Sequence, residues 1–575
     1  MSIFGKLKKK RDVLVHPWDQ YYPKNQRDIE VPDLSIYDYF ERSTFSHPDA
    51  IALNYFNETM SFSVLLEKID LCARALVCYG VREGDVVTIC MPNTPEAVIS
   101  FYAVNKIGAI ANVIHPLSGE EEIKNSLIET NSVLLITINL SYEKIDHIID
   151  STHVYKTIIV SAKDSMPKLL GLGYMVLHEW KMNIPKSTEK YMMWSDFVER
   201  GKDYEKCVFV PRGKDADAIL LHSGGTTGTP KNIVLTNGNV NAILRQAVIV
   251  FPELGVGDRL LAILPMFHCF GLVVCVLAPL ALGTTSILVP QFDAKRFDRL
   301  IRKYSPTALA GVPTLYEALI SNPHMLHVDM SSIKYVISGG DSLSVDKNQK
   351  VNAFLKEHHC RAHIMQGYGM TETTGPACFG AMGSDKLGSV GIPLPGNQVT
   401  ILDLQTKEEM ESGKIGEICI TGPTVMSRYL NKEEETNQLI FAHDDGKRWI
   451  HTGDLGYLDE NGVLFFVQRL KRMLIVSGYN VYPSHVEEIL MKHPSIAQCG
   501  VIGIAHPYKI QVPKAYIVLK PGLKPTGEFL AELKKYCKKN MAQYMIPKKF
   551  EFRDSLPKTM VGKINYRELE KENSK

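Results

Sequence analysis

The chain has 575 residues, which is too long for a single hydrophobic core and predicts two or more domains. Lysine and arginine (65) nearly balance aspartate and glutamate (63), so the formal charge of +2 gives no electrostatic reason to expect a nucleic-acid partner. The eleven cysteines are scattered without a C-x-x-C pair, which is typical of free thiols in a reducing compartment. Charges begin at Lys6 and no apolar leader follows, so we expect a cytoplasmic protein.

The first 24 residues are basic with a small apolar component. The cations Lys6, Lys8, Lys9, Lys10 and Arg11 stand beside the apolar Ile3, Phe4 and Leu7. Two interpretations stay open. A solvated tail is the usual outcome for a charge run, and a weak peripheral contact with a membrane surface is the alternative.

From residue 86 onward the sequence alternates strand and helix patterns. Val86 to Met91 predicts a strand, and Pro95 predicts the first turn of a helix capped by Asn93 or Thr94. Ile110 to Ile114 predicts the next strand, and the same alternation of strand and helix patterns recurs further along the chain. The pattern predicts an α/β fold in which helices cover parallel sheets.

Two segments interrupt this pattern. Residues 164–211 are polar and irregular, and we interpret them as an insertion. The uncharged run 269–292 has the length of a membrane span, but glycine and proline break it into a short helix and a strand. That run is therefore predicted to lie in the core.

Beyond about residue 471 the pattern changes. It predicts a helix over 484–492, strands near Val501 and over 515–519, and a helix over 526–540. We therefore predict a large α/β domain with layered sheets and helices, residues 1–470, and a small α+β domain, residues 471–575.

A glycine-rich loop lies between two apolar strand patterns, 218–221 and 233–236. Its glycines let backbone N–H groups converge on an anion, its hydroxyls add donors, and Lys231 adds a point charge. The spacing is not that of a Walker A loop, and no helix follows directly. The loop predicts phosphate binding by Ser223, Gly225, Thr226, Thr227, Gly228 and Lys231.

A second turn, after an apolar run that ends at Met365, carries groups suited to a nucleotide. Tyr368 offers an aromatic face to a base, and Thr371 offers a donor to a phosphate. Glu372 is a hard oxygen ligand for Mg²⁺ held jointly with phosphates. Taken alone, each would be an ordinary turn or surface residue.

Together these motifs resemble those of the adenylate-forming (AMP-binding) superfamily, most closely acyl-CoA synthetases of the fatty-acid–CoA ligase type. The loop is similar to the signature Ser/Thr-Ser-Gly-Thr-Thr-Gly-x-Pro-Lys-Gly, with Gly224 in place of a serine and Asn232 in place of the last glycine. Residues 368–372 match the Tyr-Gly-x-Thr-Glu motif, 452–454 match Thr-Gly-Asp, and 557–564 match Pro-Lys-Thr-x-x-Gly-Lys-Ile.

The resemblance implies a role for each matching residue. Lys563 bridges the substrate carboxylate and the α-phosphate, and Thr226, Glu372 and His268 share the catalytic site, with Glu372 as the metal ligand. The remaining residues bind the nucleotide or coenzyme A or form the hinge. Asp454 and Arg469 contact the ribose, Lys471 is the hinge of a mobile C-terminal lid, Gly340, Asp341 and Ser342 form the adenine turn, and Ser477, Gly478 and Tyr479 line the coenzyme A tunnel.

Three further positions depart from the family pattern. Gln468 stands where an acidic residue or glycine is frequent, a change that should matter little. His485 stands where glutamate is usual and Arg428 where glycine is frequent, which leaves the detail of coenzyme A recognition open. A separate group with no standard zinc spacing is interpreted as a helix end entering a buried strand. It consists of His358, His359, Cys360 and His363.

The resemblance implies a ligase that uses ATP, Mg²⁺ and coenzyme A to convert a carboxylic acid first to an acyl-AMP and then to an acyl-CoA. His268 and residues 311–316 match the acyl pocket and bring no charged anchor, which favours a medium- or long-chain fatty acid. The open alternatives are an aromatic or steroid acid as substrate, a carrier protein as acyl acceptor, and a non-catalytic acyl- or nucleotide-binding protein.

Overall fold

The computed structural model describes residues 15–177, 179, 187–204, 206, 208–222, 231–476, 479–506, 510–558 and 563–573. Sheets and helices alternate in layers, so the expected α/β class is confirmed. Within these ranges, no helix combines the length and the apolar character needed to cross a membrane.

Helices occur throughout the chain. The α-helices are α1 (Ile36–Thr44), α2 (Phe62–Cys78), α3 (Pro95–Lys106), α4 (Glu120–Glu129), α5 (Tyr142–Ile148), α6 (Lys168–Leu177), α7 (Trp194–Lys202), α8 (Asn237–Val250), α9 (Ala278–Ala281), α10 (Phe297–Tyr304), α11 (Pro313–Ser321), α12 (Val345–Glu357), α13 (Glu433–Leu439), α14 (Pro483–Met491), α15 (Gly527–Asn540) and α16 (Tyr566–Asn573). A π-helix, Phe270–Leu277, leads directly into α9.

The strands are mostly short. The first part of the chain contains β1 (Ile51–Tyr55), β2 (Glu58–Ser61), β3 (Val86–Cys90), β4 (Ile110–Val113), β5 (Ser132–Ile138), β6 (Lys156–Val160), β7 (Tyr191–Met193), β8 (Asp217–His222), β9 (Asn232–Thr236), β10 (Arg259–Ala262), β11 (Thr285–Leu288), β12 (Ala308–Gly311) and β13 (Tyr335–Ser338). The second part contains β14 (Ile364–Met370), β15 (Gly375–Phe379), β16 (Ile392–Pro393), β17 (Gln398–Leu402), β18 (Gly416–Thr421), β19 (Arg428–Tyr429), β20 (Ile440–Ala442), β21 (Arg448–Leu458), β22 (Leu464–Arg469), β23 (Leu474–Val476), β24 (Tyr479–Val481), β25 (Ile496–His506), β26 (Ile510–Leu519) and β27 (Lys549–Phe552).

Two large sheets form the body of the protein. One has the strand order β19-β9-β8-β4-β3-β5-β6-β7 and the other β16-β15-β14-β13-β12-β10-β11-β1-β2. Their central strands are parallel. Antiparallel strands close both ends of the second sheet and the β19 end of the first, whereas the edge strand β7 is parallel to β6. Residues from both sheets belong to one apolar core, and every residue of α3 is buried, as expected for a helix enclosed on all sides.

Several loops that carry predicted site residues follow parallel strands. The glycine-rich loop follows β8, the segment with His268 follows β10, and the turn at residues 339–342 follows β13. Because parallel strands end at the same edge of a sheet, the segments after β10 and β13 are brought together at one edge. The fold therefore gathers residues that are far apart in sequence.

A third, antiparallel sheet connects the body to the C-terminal region. It contains β17, β18, β21, β20 and β22, and β22 runs directly to the predicted hinge. Strands β23 to β27 pair only with one another among the described strands, and α14 and α15 pack on them. The boundary between residues 470 and 471 stays a prediction.

The expectation that residues 164–211 are irregular was wrong, and their interpretation as an insertion stays a prediction. The segment contains α6, the edge strand β7 and the helix α7. Helix α7 buries Trp194, Phe197 and Gly201, which recur at helical spacing, against α2. The sequence signal was weak because β7 has only three residues and α7 only nine.

Asn93 joins the two large sheets. Its Nδ2 donates to the carbonyl oxygens of Ala262 (3.0 Å) and Leu264 (2.9 Å), and its Oδ1 accepts from the Met266 N–H (2.9 Å). Thr94, rather than Asn93, caps α3 by accepting from the Ala97 N–H. Asn93 is buried and holds the segment that leads to His268.

We predict that Asn93→Leu lowers the free energy of unfolding by about 2–4 kcal/mol, because it leaves the Met266 N–H and the Leu264 carbonyl without their partner, while the Ala262 carbonyl keeps the Val289 N–H. Urea unfolding followed by tryptophan fluorescence measures this, since all four tryptophans precede residue 470. The control Gln405→Leu, at an exposed turn, is expected to change stability by less than about 0.5 kcal/mol. Equal effects of the two variants would contradict the role given to Asn93.

Candidate active site

Tyr368, Asp454 and Arg469 form a connected group. The Tyr368 hydroxyl donates to Oδ2 of Asp454 (2.9 Å), and Nε of Arg469 lies 3.7 Å from Oδ1 of the same carboxylate. Asp454 and Arg469 are register partners on β21 and β22, which fixes their side chains on one face. Burial raises the pKa of Asp454, and the Arg469 guanidinium opposes that rise. The predicted ribose-binding pair is thus brought together beside the predicted base platform.

A second group forms around Tyr429. Its hydroxyl donates to Oε1 of Glu372 (2.8 Å), and the Lys231 ammonium lies 4.5 Å from the centre of its ring. Lys231 also pairs with Glu435 at 3.0 Å. The structure therefore brings Glu372 to the hydroxyl and Lys231 to the ring face of Tyr429, a residue that the sequence did not indicate as a site residue. Thr371 lies next to Glu372 in a 3₁₀ turn after β14.

Glu372 is suited to act as a magnesium ligand because its carboxylate is buried and because lone pairs on it remain available. The carboxylate is buried, and Tyr429 occupies only one oxygen. Among the hydrogen bonds of the described residues, Oε2 accepts none and remains available for a cation. Hard carboxylate oxygens of this kind bind Mg²⁺ together with phosphate oxygens.

The turn at residues 339–342 follows β13. Gly340 has a φ of +76°, a conformation that glycine adopts without strain, and a Cβ at Gly339 would lie 3.2 Å from the Phe270 ring. Asp341 and Ser342 are exposed, and Oδ1 of Asp341 accepts from the Ser342 N–H (2.9 Å). All four residues line the same cleft as Tyr368 and Asp454.

Lys563 reaches this cleft from the C-terminal region. Burial lowers the pKa of its ammonium, Asp341 and Asp454 oppose that change, and Arg469 adds to it. Lys563 and these three charged residues line the same cleft. Lys563 also lowers the pKa of His268, which lines that cleft as well.

His268 is neutral in this setting. Its pKa falls to about 4, mainly because of burial and secondarily because of Lys563. The Phe270 N–H donates to its Nδ1 (3.2 Å), which leaves the ring proton on Nε2. The histidine therefore presents a neutral N–H donor to the cleft.

The cleft continues from this charged region into an apolar branch. On one side α8 contributes Ile243, Ala247 and Val250, and on the other the π-helix and α9 contribute Val274 and Ala278. The one polar side chain that α8 contributes is Gln246, and its Nε2 donates to the Pro395 carbonyl (2.8 Å). The described cleft has a volume of about 2960 Å³, several times that of a pocket for one small ligand.

Lys471 is exposed in a 3₁₀ turn, and the next residue is anchored. Arg472 pairs with Glu487 (2.6 Å), and its guanidinium carbon lies 3.6 Å from the centre of the Tyr566 ring. The Tyr566 hydroxyl donates to Oε2 of the same glutamate (3.3 Å). Because Tyr566 follows Lys563 by three residues, this group joins the predicted hinge to the segment that carries the lysine. Only the tertiary structure reveals it.

Three of the residues that depart from the family pattern, Asn232, Arg428 and Gln468, make specific contacts in the structure. Nδ2 of Asn232 donates to Oε2 of Glu129 (2.9 Å), while Arg428 makes two bonds to Asp217, at 3.1 and 2.6 Å. Arg428 therefore holds β19, and with it Tyr429, against the sheet. Gln468 accepts from the Ser484 hydroxyl (3.1 Å), a contact between the body and the C-terminal region.

The group His358, His359, Cys360 and His363 is dispersed in the structure. Nδ1 of His358 donates to the Val328 carbonyl (2.8 Å), and His363 pairs with Asp385. Cys360 is buried at the start of the segment that leads into β14. These contacts agree with a helix end that enters a buried strand.

Seven predicted site residues lie outside the described residues. They are Ser223, Gly225, Thr226, Thr227, Gly228, Ser477 and Gly478. For Tyr479 only the backbone is described, which pairs with Val476 in β24. Their roles stay predictions.

Two family models match the chain. One described as AMP-binding enzyme covers residues 40–430, and one described as AMP-binding enzyme C-terminal domain covers residues 485–563. The chain therefore belongs to the AMP-binding enzyme family. Within that family it is similar to proteins named for the ligation of acids to coenzyme A.

A long-chain-fatty-acid–CoA ligase of Bacillus subtilis is 33% identical over 560 residues, which covers 96% of this chain and 97% of the relative. A long-chain-fatty-acid–CoA ligase of Yersinia pestis is 31% identical over 575 residues, covering 97% and 98%. Among solved structures, the o-succinylbenzoate coenzyme A synthetase of Bacillus subtilis in complex with ATP and magnesium is 27% identical, with a TM-score of 0.72 over 92% of this chain and 99% of that one.

The Arg472–Tyr566 contact predicts a positioning role for Tyr566. We expect Tyr566→Leu to lower kcat for acid-dependent pyrophosphate release by about tenfold, because the segment with Lys563 loses its stacked anchor. The KM for ATP should change by less than about threefold, since the nucleotide contacts of the body remain. Stopped-flow or coupled pyrophosphate assays measure both.

Tyr566→Phe is the matched control, because it keeps the ring over Arg472 and removes only the hydroxyl. It should retain at least about a third of the wild-type kcat. A merely structural role would instead make kcat follow the fraction of folded protein, measured by thermal unfolding. Equal kcat values for the Leu and Phe variants would contradict the prediction.

Proposed function

We propose that this protein activates long-chain fatty acids with ATP and then transfers the acyl group to coenzyme A. The observation that carries the proposal is the continuity of the cleft. A charged end formed by Tyr368, Asp454, Arg469 and Lys563 opens into an apolar branch without a charged anchor. The names of the relatives agree with this substrate class.

In the first step the acid's carboxylate oxygen attacks the α-phosphorus of ATP. The bond between the α-phosphorus and the bridging oxygen breaks, and pyrophosphate leaves with that oxygen. Two anions must meet, so Lys563 lowers their repulsion from a position near both sites. The neutral His268 donates its Nε2 proton as a hydrogen bond to the acid without adding charge.

Nucleotide binding follows from the two groups in the body. Tyr368 supports the base, Asp454 and Arg469 bind the ribose, and the turn 340–342 borders the adenine. Lys231 and the hydroxyls of the glycine-rich loop bind the phosphates. When bound at Glu372, Mg²⁺ neutralises charge that develops on the phosphate oxygens. Tyr429 orients that carboxylate through its hydrogen bond.

In the second step the sulfur of coenzyme A attacks the acyl carbonyl, the bond to the phosphate oxygen breaks, and AMP leaves. We propose that the C-terminal region turns at Lys471 between the steps, which withdraws Lys563 and brings residues 477–479 to the cleft. Such a rotation lets one cleft serve two reactions. The contact between Gln468 and Ser484 belongs to the arrangement described here and would break on rotation.

Lys563→Ala tests the assignment of the first step. We expect acid-dependent pyrophosphate release to fall by about 10²–10³-fold, because a cation that faces the developing charge is lost. Formation of acyl-CoA from supplied acyl-AMP should stay within about threefold of wild type, since that step proceeds without the lysine. The exposed Lys549 provides the control Lys549→Ala, which should affect neither step. Adenylate formation at the wild-type rate would contradict the proposal.

The depth of the apolar branch can be tested at Ala247. We expect Ala247→Phe to lower kcat/KM for palmitate by at least about tenfold while that for octanoate changes by less than about threefold, because the added ring blocks the branch. Val248→Phe is the matched control, since its side chain is exposed on the neighbouring position of α8. An equal loss for both acids would show that the branch does not hold the chain.

The same assay separates the alternatives. Turnover on benzoate or cholate in place of fatty acids would keep the mechanism and change the substrate. Transfer to a holo-carrier protein in preference to coenzyme A would change the acceptor. ATP binding without pyrophosphate release for any acid would favour a non-catalytic binding protein.

A further inference from the structure

Three side chains of the kinds that bind metals meet in the third sheet. Cys419 on β18 is the register partner of His451 on β21, and Glu417 lies two residues before the cysteine. All three side chains are buried. The ligand atoms of the thiol, the imidazole and the carboxylate lie within 4.8 Å of one another. We call this group the β18–β21 cluster.

Two separations in the cluster match the edges of a zinc tetrahedron. Nδ1 of His451 lies 3.5 Å from Sγ of Cys419 and 3.2 Å from Oε2 of Glu417. Zinc bonds of about 2.3 Å to sulfur and about 2.1 Å to nitrogen and oxygen place sulfur and nitrogen about 3.6 Å apart, and nitrogen and oxygen about 3.4 Å apart. One ion can therefore contact all three atoms after small side-chain adjustments.

Hydrogen bonds at Nδ1 of His451 do not satisfy both of its neighbours. This nitrogen either carries a proton or offers one lone pair. With a proton it donates to Glu417, and the Cys419 thiol then has no acceptor at this nitrogen. With a lone pair it accepts from the thiol, and the carboxylate then faces another acceptor. A cation between them accepts a lone pair from each of the three groups at once.

A second histidine supports the ring orientation that a metal requires. Nε2 of His443 lies 2.9 Å from Nε2 of His451, so the outer nitrogen of His451 can donate while Nδ1 turns its lone pair inward. The Phe441 ring stacks on His451, with the ring centroids 3.9 Å apart. Histidines that bind zinc usually have their second N–H held by a partner in this way.

The charges of the cluster suit a divalent ion. Burial raises the pKa of the Cys419 thiol, which therefore needs a nearby cation to release its proton. One thiolate, one carboxylate and one neutral imidazole balance the two charges of Zn²⁺, which lowers the cost of holding the ion away from water. The Lys407 ammonium lies 3.4 Å from Oε2 of Glu417, but this side chain is half exposed and is free to turn outward.

We propose that Glu417, Cys419 and His451 bind a Zn²⁺ ion, with water as the fourth ligand. The mixed set of sulfur, nitrogen and oxygen favours Zn²⁺ over Mg²⁺, which prefers oxygen ligands in octahedral geometry. None of the three side chains is among the described residues that line the cleft. The site is therefore separate from Glu372, and the proposal does not rest on the proposed function.

The ion would act on the turn that carries Asp454. Oε1 of Glu417 accepts from the Gly453 N–H (3.3 Å), and Gly453 directly precedes Asp454. Zinc at Oε2 would fix this carboxylate, and with it the backbone of the turn. The role of the ion is therefore structural, because its ligands face away from the cleft-lining residues.

The test titrates the full chain, without a polyhistidine tag, with Co²⁺ as a spectroscopic probe for Zn²⁺. We expect one Co²⁺ per chain, with the visible absorption of a tetrahedral site and the ultraviolet band of a cobalt–thiolate bond. Zn²⁺ should displace the cobalt and Mg²⁺ should not. Cys419→Ser should lose the ultraviolet band and bind Co²⁺ at least about tenfold more weakly. The control Cys360→Ser, at a buried cysteine of the histidine-rich group 358–363, should bind like wild type.

A second variant tests the site from its exposed side. Lys407→Gln should bind Co²⁺ at least about threefold more tightly, because the ammonium no longer competes for Glu417. Thermal unfolding midpoints show whether Cys419→Ser is folded, and if it is not, Lys407→Gln decides the matter. The proposal would be overturned by an ultraviolet band that survives in Cys419→Ser or disappears in Cys360→Ser, or by an affinity that Lys407→Gln leaves unchanged. These measurements require neither ATP nor an acid, so they are independent of any ligase activity.

Discussion

The buried carboxylate of Asp454 sets the conditions for the rest of the site. Removing a carboxylate from water is costly unless hydrogen bonds and opposite charge replace its hydration. Tyr368 and Arg469 supply these from two other strands, so β14, β21 and β22 must meet at this point. Lys563 then joins the same field from the C-terminal region, together with Asp341. The charge of the body thus favours the arrangement in which the lysine faces the cleft.

The phosphate side of the cleft depends on a chain of supports. Arg428 fixes β19 through Asp217, β19 carries Tyr429, and Tyr429 contacts both Glu372 and Lys231. Each link is a polar contact between elements that are remote in sequence. Arg428, which stands where relatives often carry glycine, therefore acts on the site through Tyr429, and Tyr429 lies outside the matched motifs.

The apolar lining of the cleft comes from elements that are distant in sequence. Helix α8 contributes Ile243, Ala247 and Val250, and the π-helix and α9 contribute Val274 and Ala278. The charged groups line the same cleft, so the two kinds of lining share one continuous space. Such a combination suits a substrate with an anionic end and an apolar body.

Local patterns in the sequence determined the α/β class, most strands and helices near the motifs, and the family, because periodicity, capping residues and glycine-rich turns act over a few residues. A cap of α3 at Asn93 or Thr94 and the strands around the glycine-rich loop follow from such signals, and the structure then assigns the cap to Thr94. The misread segment 164–211 shows their limit, since β7 and α7 are short and are stabilised by packing on β6 and α2. Only the tertiary structure decided that Tyr429 contacts Glu372, that Arg472 stacks on Tyr566, and that Lys563 lines the same cleft as Asp454. The members of these pairs lie 57 to about 110 positions apart, and no local propensity encodes the meeting of such distant side chains.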